Sequence, residues 1–148
     1  MENKIYKPKI DKLFWLIWIP TSVFMILMTV FAFFEPISLL IMIPTDIFTF
    51  YFLLTSLFGY VELRNDILFI RFGLIMTREI PYSKIRGLVK ERKFHSESMM
   101  SLKNALEHVN IKYNSFDVVT VSVKDNDEFI KDINLRVENS KKRLKVKK

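Results

Sequence analysis

The chain of 148 residues is half hydrophobic, has no cysteine and carries a formal net charge of +7. That length holds one small folded domain beside any membrane segment, and the lack of cysteine excludes a disulfide framework and a thiolate metal site. Apolar residues and charges are segregated: both tryptophans and most phenylalanines precede residue 60, and most charges follow it.

Residues 1–12 form a basic N-terminus with Lys4, Lys7, Lys9 and Lys12. Leu13–Phe34 then runs without a charge, and Ile37–Phe58 contains a single acid, Asp46. A bilayer core about 30 Å thick needs roughly 20 apolar residues of helix at 1.5 Å rise each. Both runs are long enough and only Glu35-Pro36 separates them, so residues 13–58 are predicted to be a transmembrane hairpin (13–34 and 37–58). The first run ends in Phe33-Phe34-Glu35, not in small residues, and a second span follows at once, which argues against a cleaved signal peptide. Lys and Arg flank the hairpin on both sides and are missing from its turn, so both termini are expected to be cytoplasmic.

Pro20 and Pro44 each remove a backbone donor and are expected to kink their helices. Asp46 is the unusual residue, because an acid at mid-depth costs on the order of 3 kcal/mol on insertion scales. In an antiparallel hairpin it lies across from about Met25, within a turn of Ser22 and Thr29. A hydrogen bond from one of those hydroxyls is expected. The sharper readings are a contact with another membrane protein, or a cation or proton site.

From Tyr60 the pattern becomes strand-like. Tyr60–Arg64 alternates, Asn65-Asp66 turns, Ile67–Phe72 is β-branched and aromatic, Gly73-Leu74 turns again, and Ile75–Ile80 follows. Pro81 ends this meander, and Gly87–Phe94 is a fourth candidate strand. His95–Leu106 has no period and reads as a loop or short helix. His108–Tyr113 alternates, with Val109, Ile111 and Tyr113 on one face and His108 expected on the exposed one. Asp117–Val123 places Val119, Val121 and Val123 together. Asp125 with Glu128 has the form of a helix start, and Phe129, Ile130, Ile133 and Val137 follow at helical spacing.

The order Tyr60, Asp66–Gly73, Ile80-Pro81-Tyr82, Ile85, Ser101-Leu102-Lys103, Val109–Tyr113, Ser122–Asp125 and Glu128–Ile130 resembles the bacterial PH-like domain of the YyaB-like type. The resemblance covers roughly residues 58–136, and members of that family often carry a short membrane hairpin in front. Val123 stands where the family often has proline, and Lys103–His108 is longer than the usual spacing. The resemblance implies a two-span α-helical hairpin in a bacterial cell membrane, followed by a small α+β, mainly antiparallel β, PH-like domain (59–137) with a C-terminal helix. It carries no catalytic residue across.

Residue chemistry points away from an enzyme. His95 and His108 have no partners at metal-ligand spacing, and Gly59, Gly73 and Gly87 are too scattered for a phosphate loop. No cofactor is expected. The basic tail, residues 138–148, contains Lys141, Lys142, Arg143, Lys145, Lys147 and Lys148, read either as a solvated end or as a contact for anionic lipid. Nucleic acid is not an expected partner. The expected function is a non-catalytic binding or scaffold module at the cytoplasmic membrane face, engaging a protein partner or anionic lipid. The alternative is an immunity or resistance factor against membrane-active bacteriocins.

Overall fold

A computed structural model describes residues 2–98 and 101–146, with the side chains of 144–146 left aside. The order is β1 (Lys4–Tyr6), α1 (Lys12–Ala32), α2 (Pro36–Phe58), β2 (Tyr60–Leu63), β3 (Ile67–Phe72), β4 (Met76–Pro81), a 3-10 turn (Tyr82–Lys84), β5 (Ile85–Arg92), β6 (Ser101–Leu102), β7 (Glu107–Tyr113), β8 (Asp117–Val121) and α3 (Asn126–Val146).

Helices α1 and α2 are each long and apolar enough to cross a membrane. Their apolar side chains, such as Leu16, Phe31, Leu40 and Ile47, lie on the outside of the molecule, uncovered by the rest of the chain. Both helices run through their prolines. Beside each proline a threonine fastens the preceding turn: Thr21 donates to Ile17 O and Thr45 to Ile41 O, both at 2.8 Å.

The strands form two four-stranded sheets, ordered β1-β2-β3-β4 and β5-β7-β8-β6. The first is antiparallel throughout, and in the second β6 lies parallel to β8. Alternation along β2 and β3 sends Val61, Leu63, Leu68 and Ile70 inward. They meet Val109, Ile111, Val119 and Val121 of the second sheet and Phe129 and Ile133 of α3. Each such side chain, fully buried, contributes about 1.5–3 kcal/mol. Asp125 caps α3 by accepting from Glu128 N at 3.0 Å. The meander is as expected, except that Phe72 pairs with Met76, so Gly73–Ile75 is a three-residue turn.

Four features depart from the sequence reading, the smallest being β6, a two-residue strand inside the stretch expected to be a loop or short helix. Strand β1 comes from the basic N-terminus: it pairs with β2 through Tyr6↔Val61 and Lys4↔Leu63, so the hairpin is inserted between two neighbouring strands of one sheet. Helix α3 does not stop at Val137 but continues through the basic tail to Val146. His108, expected on an exposed face, is fully buried, together with Asn110, Thr120 and Ser122. Strands β5 and β6 occupy opposite edges of their sheet, and Ser98 Oγ in the connection donates to Val118 O. Polar residues of this sheet bond one another: Thr120 to Asn110 at 2.6 Å, Asn110 to Glu91 at 3.3 Å.

Candidate functional site

The two ends of the sandwich differ chemically, and the strand directions assign every loop to one of them. Strand β2 starts one residue after Gly59, the C-cap of α2, and β3 returns to Gly73, which packs on Thr55 of α2. This is the hairpin end. The β2–β3 turn, Asn65-Asp66, therefore lies at the far end. Tyr82 N bonds Asp66 O at 3.2 Å and Asn114 N bonds Lys84 O at 3.1 Å, which brings the β7–β8 turn to the far end as well.

At the hairpin end, Asn104 joins both flanks of the insertion. Its carbonyl accepts from Asp11 N at 3.0 Å, and its Nδ2 donates to Ser56 O at 2.7 Å. Asp11 in turn accepts from Leu106 N at 2.9 Å. Beside α1 a cavity of about 180 Å³ is lined by Phe14, Ile17, Trp18, Phe94, Lys103 and Leu106. Lys103 Nζ donates to three successive carbonyls, those of Lys93, Phe94 and His95, at 2.6–2.8 Å. Burial holds this amine below its ordinary value. All three of its protons are directed at protein, so it is a loop fastener and not an anion site.

At the far end, Asn114 takes a positive φ of 49° and its side chain bonds Asp117 at 2.7 Å. Arg86 braces the same turn, donating to Asn114 O at 3.4 Å and Ser115 O at 3.1 Å. The turn lifts Phe116 clear of the surface, leaving it 95% exposed. An open cleft of about 450 Å³ beneath it includes Arg86, Glu97, Lys112, Tyr113 and Asp117. An aromatic at the tip suits an apolar socket, because aromatic anchors dominate protein contacts, and the cleft below it carries both signs of charge.

The sequence-predicted residues divide between three places. Asp46 accepts a hydrogen bond from Thr29 Oγ1, as the hairpin geometry anticipates, and its Oδ1 is buried with no partner. Arg143 pairs with Asp66 at 3.1 Å, so Lys141, Lys142 and Arg143 ride the last turns of α3 at the end of the sandwich opposite the hairpin. Lys145 lies in α3 with its side chain outside the described residues, and Lys147 and Lys148 lie outside them altogether. Phe116, Arg86 and Lys103 escape sequence reasoning. The available signal was a bulky aromatic inside a turn of Asn, Ser and Asp.

Two outcomes follow from these contacts. Thr29→Val leaves both carboxyl oxygens of Asp46 without a donor and is expected to cost the hairpin on the order of 1 kcal/mol in lipid. Adding Asp46→Leu removes the stranded acid and is expected to restore the loss, read as unfolding in detergent–lipid mixtures. Outside α1 and α2, Glu107 bonds Lys9 and Lys90, both at 2.9 Å, and these cations hold its carboxyl down at about 2 from an ordinary 4.5. A depressed folded value stabilises fully above pH 4.5, and that stabilisation disappears as pH falls toward about 2. Glu107→Gln is therefore expected to lower stability at neutral pH and to flatten the acid-unfolding curve over that window.

Residues 59–137 match the family described as Bacterial PH domain. No curated protein and no solved structure matches the chain.

Proposed function

Because the chain belongs to the bacterial PH domain family, we propose that it is a membrane-anchored binding module that engages a protein partner at the cytoplasmic face without catalysis. The hairpin crosses the bilayer twice and returns the chain to the sheet it left. Pairing of β1 with β2 supports this topology, since both flanks of the insertion must lie on one side of the membrane for the two strands to meet. The lysines before α1 and the basic residues after α2 favour the cytoplasmic side.

The observation that carries the choice of partner is Phe116, held out by Arg86 at the end away from the hairpin. Anionic lipid of the anchoring membrane is the weaker alternative, because Arg143, in the basic last turns of α3, pairs with Asp66 at that same distant end. A PH-like scaffold alone selects no ligand, so the reading rests on this surface.

A photoreactive amino acid at position 116 in living cells tests it. Capture of one dominant protein, lost on Lys112→Glu and absent with the probe at exposed Ile5, is the expected result. Adducts with lipid alone, or with the same proteins from both positions, overturn it.

A further inference from the structure

We infer that the hairpin end of the sandwich is itself embedded in the lipid interface, through two apolar tips, Phe94 beside α1 and Ile75 beside α2. The inference rests on the hairpin crossing a bilayer. Phe94 shares one cavity wall with Ile17 and Trp18, which lie five and six residues into α1. At 1.5 Å per residue this is about 8–9 Å along the helix, as deep as the interfacial zone where tryptophan collects. A loop that reaches this level beside the span is level with headgroups and upper acyl chains.

The loop has the polar arrangement such a position demands. Backbone carbonyls without water must find donors inside the protein, and Lys103 supplies one to each of residues 93, 94 and 95. Phe94 itself turns outward, 71% exposed. On the other flank, Gly73 packs directly against Thr55, three residues before the end of α2. Arg71 covers the carbonyls of Gly73 and Leu74 at 2.9 and 3.1 Å. The same turn directs Leu74, Ile75 and Met76 outward, with Ile75 77% exposed. Both tips thus combine an outward apolar side chain, a cation turned back onto the backbone, and a direct seat on a spanning helix. Their apolar surface continues that of the hairpin, so lipid is the occupant that covers both.

Lipid contact at these tips fixes the sandwich against the membrane and points Phe116 into water. Since the native chain has no cysteine, single nitroxide labels at Phe94→Cys, Ile75→Cys, Ile47→Cys and Phe116→Cys read each depth separately. The full chain is placed in phosphatidylcholine–phosphatidylglycerol vesicles and the labels are scored by collision with oxygen and with a water-soluble nickel chelate. All four sites are exposed in the protein, so the labels leave the core intact. The expected result is lipid-like collisions at 47, water-like collisions at 116, and values at 75 and 94 shifted clearly toward those at 47. Water-like values at 75 and 94 with 47 still in lipid overturn this inference alone. Water-like values at 47 overturn the spanning hairpin and the inference with it.

Discussion

A chain in which residues 13–55 are replaced by a flexible Gly/Ser linker of about ten residues is expected to fold as a sandwich, whereas residues 59–146 alone are expected to remain unfolded. The linker is long enough because Asn104 already bonds the backbone on both flanks, at Asp11 and at Ser56. The shorter piece fails because it lacks β1. Tyr6 is buried against Phe129, ring centroids 5.1 Å apart at an edge-to-face angle, and burial of such a ring is worth about 2–3 kcal/mol. Arg136, also buried, donates to Arg64 O at 2.9 Å and to Glu2 O, so losing the N-terminal segment strands part of a buried cation. A stranded donor of this kind costs about 1–3 kcal/mol. Lys4, which joins Glu128 and Asp132 at 2.7 Å, also goes, but its exposure makes this a small loss. The total, about 3–6 kcal/mol, matches the whole stability of a small domain at the low end of the usual range. Circular dichroism and amide-proton dispersion of the two proteins decide the matter: a folded 59–146 piece means that β1 is an accessory strand.

Sequence and structure part company where a partner lies far along the chain. Lys4-Ile5-Tyr6 is three residues among lysines, too short for any alternation to register. Its strand exists only because β2 offers an edge on the other side of the hairpin. The meander was readable because its partners are adjacent and its turns carry Asn-Asp and glycine. His108 was misplaced because alternation assumes that a sheet has one wet face. Here the second face is dry as well, with His108, Asn110, Thr120 and Ser122 all buried. The basic run after Val137 reads as a tail by its charge but as helix by its propensity. Lys, Arg, Glu and Leu are good helix formers, and no glycine or proline intervenes to stop α3.

The candidate surfaces divide in the same way. Counting residues from the hairpin turn is enough to place Asp46 within reach of Ser22 and Thr29, because helical rise is constant, and the structure selects Thr29. Phe116, Phe94 and Ile75 have no such rule. Phe116 is a single apolar residue in a turn, while Ile75 and Phe94 stand at the ends of runs that read as strands, where no pattern separates a core residue from a protruding one. Only the assignment of turns to the two ends of the sandwich gives them a role. That assignment came from backbone hydrogen bonds between segments distant in sequence, such as Asn114 N to Lys84 O.

Gly73→Ala is expected to be among the most damaging single changes outside the core. Residue 73 takes φ +71°, where a Cβ costs roughly 1–2 kcal/mol. The added carbon would stand 2.4 Å from Thr55 Cα and 2.7 Å from its Cβ and Oγ1. The Cα belongs to the backbone of α2, so no rotamer change relieves the overlap: the turn must move off the helix. Moving it pulls Arg71 from the carbonyls of Gly73 and Leu74 and separates the sandwich from α2. The two costs are separable, because the linker protein lacks Thr55 and keeps only the backbone strain. Full-length Gly73→Ala should therefore lose more stability than the same change in the linker protein, with faster amide exchange at residues 72–76 and in the last turn of α2. Equal losses in the two backgrounds would mean that the seat on Thr55 adds nothing, and that the sandwich is held to its hairpin by Asn104 and the chain itself.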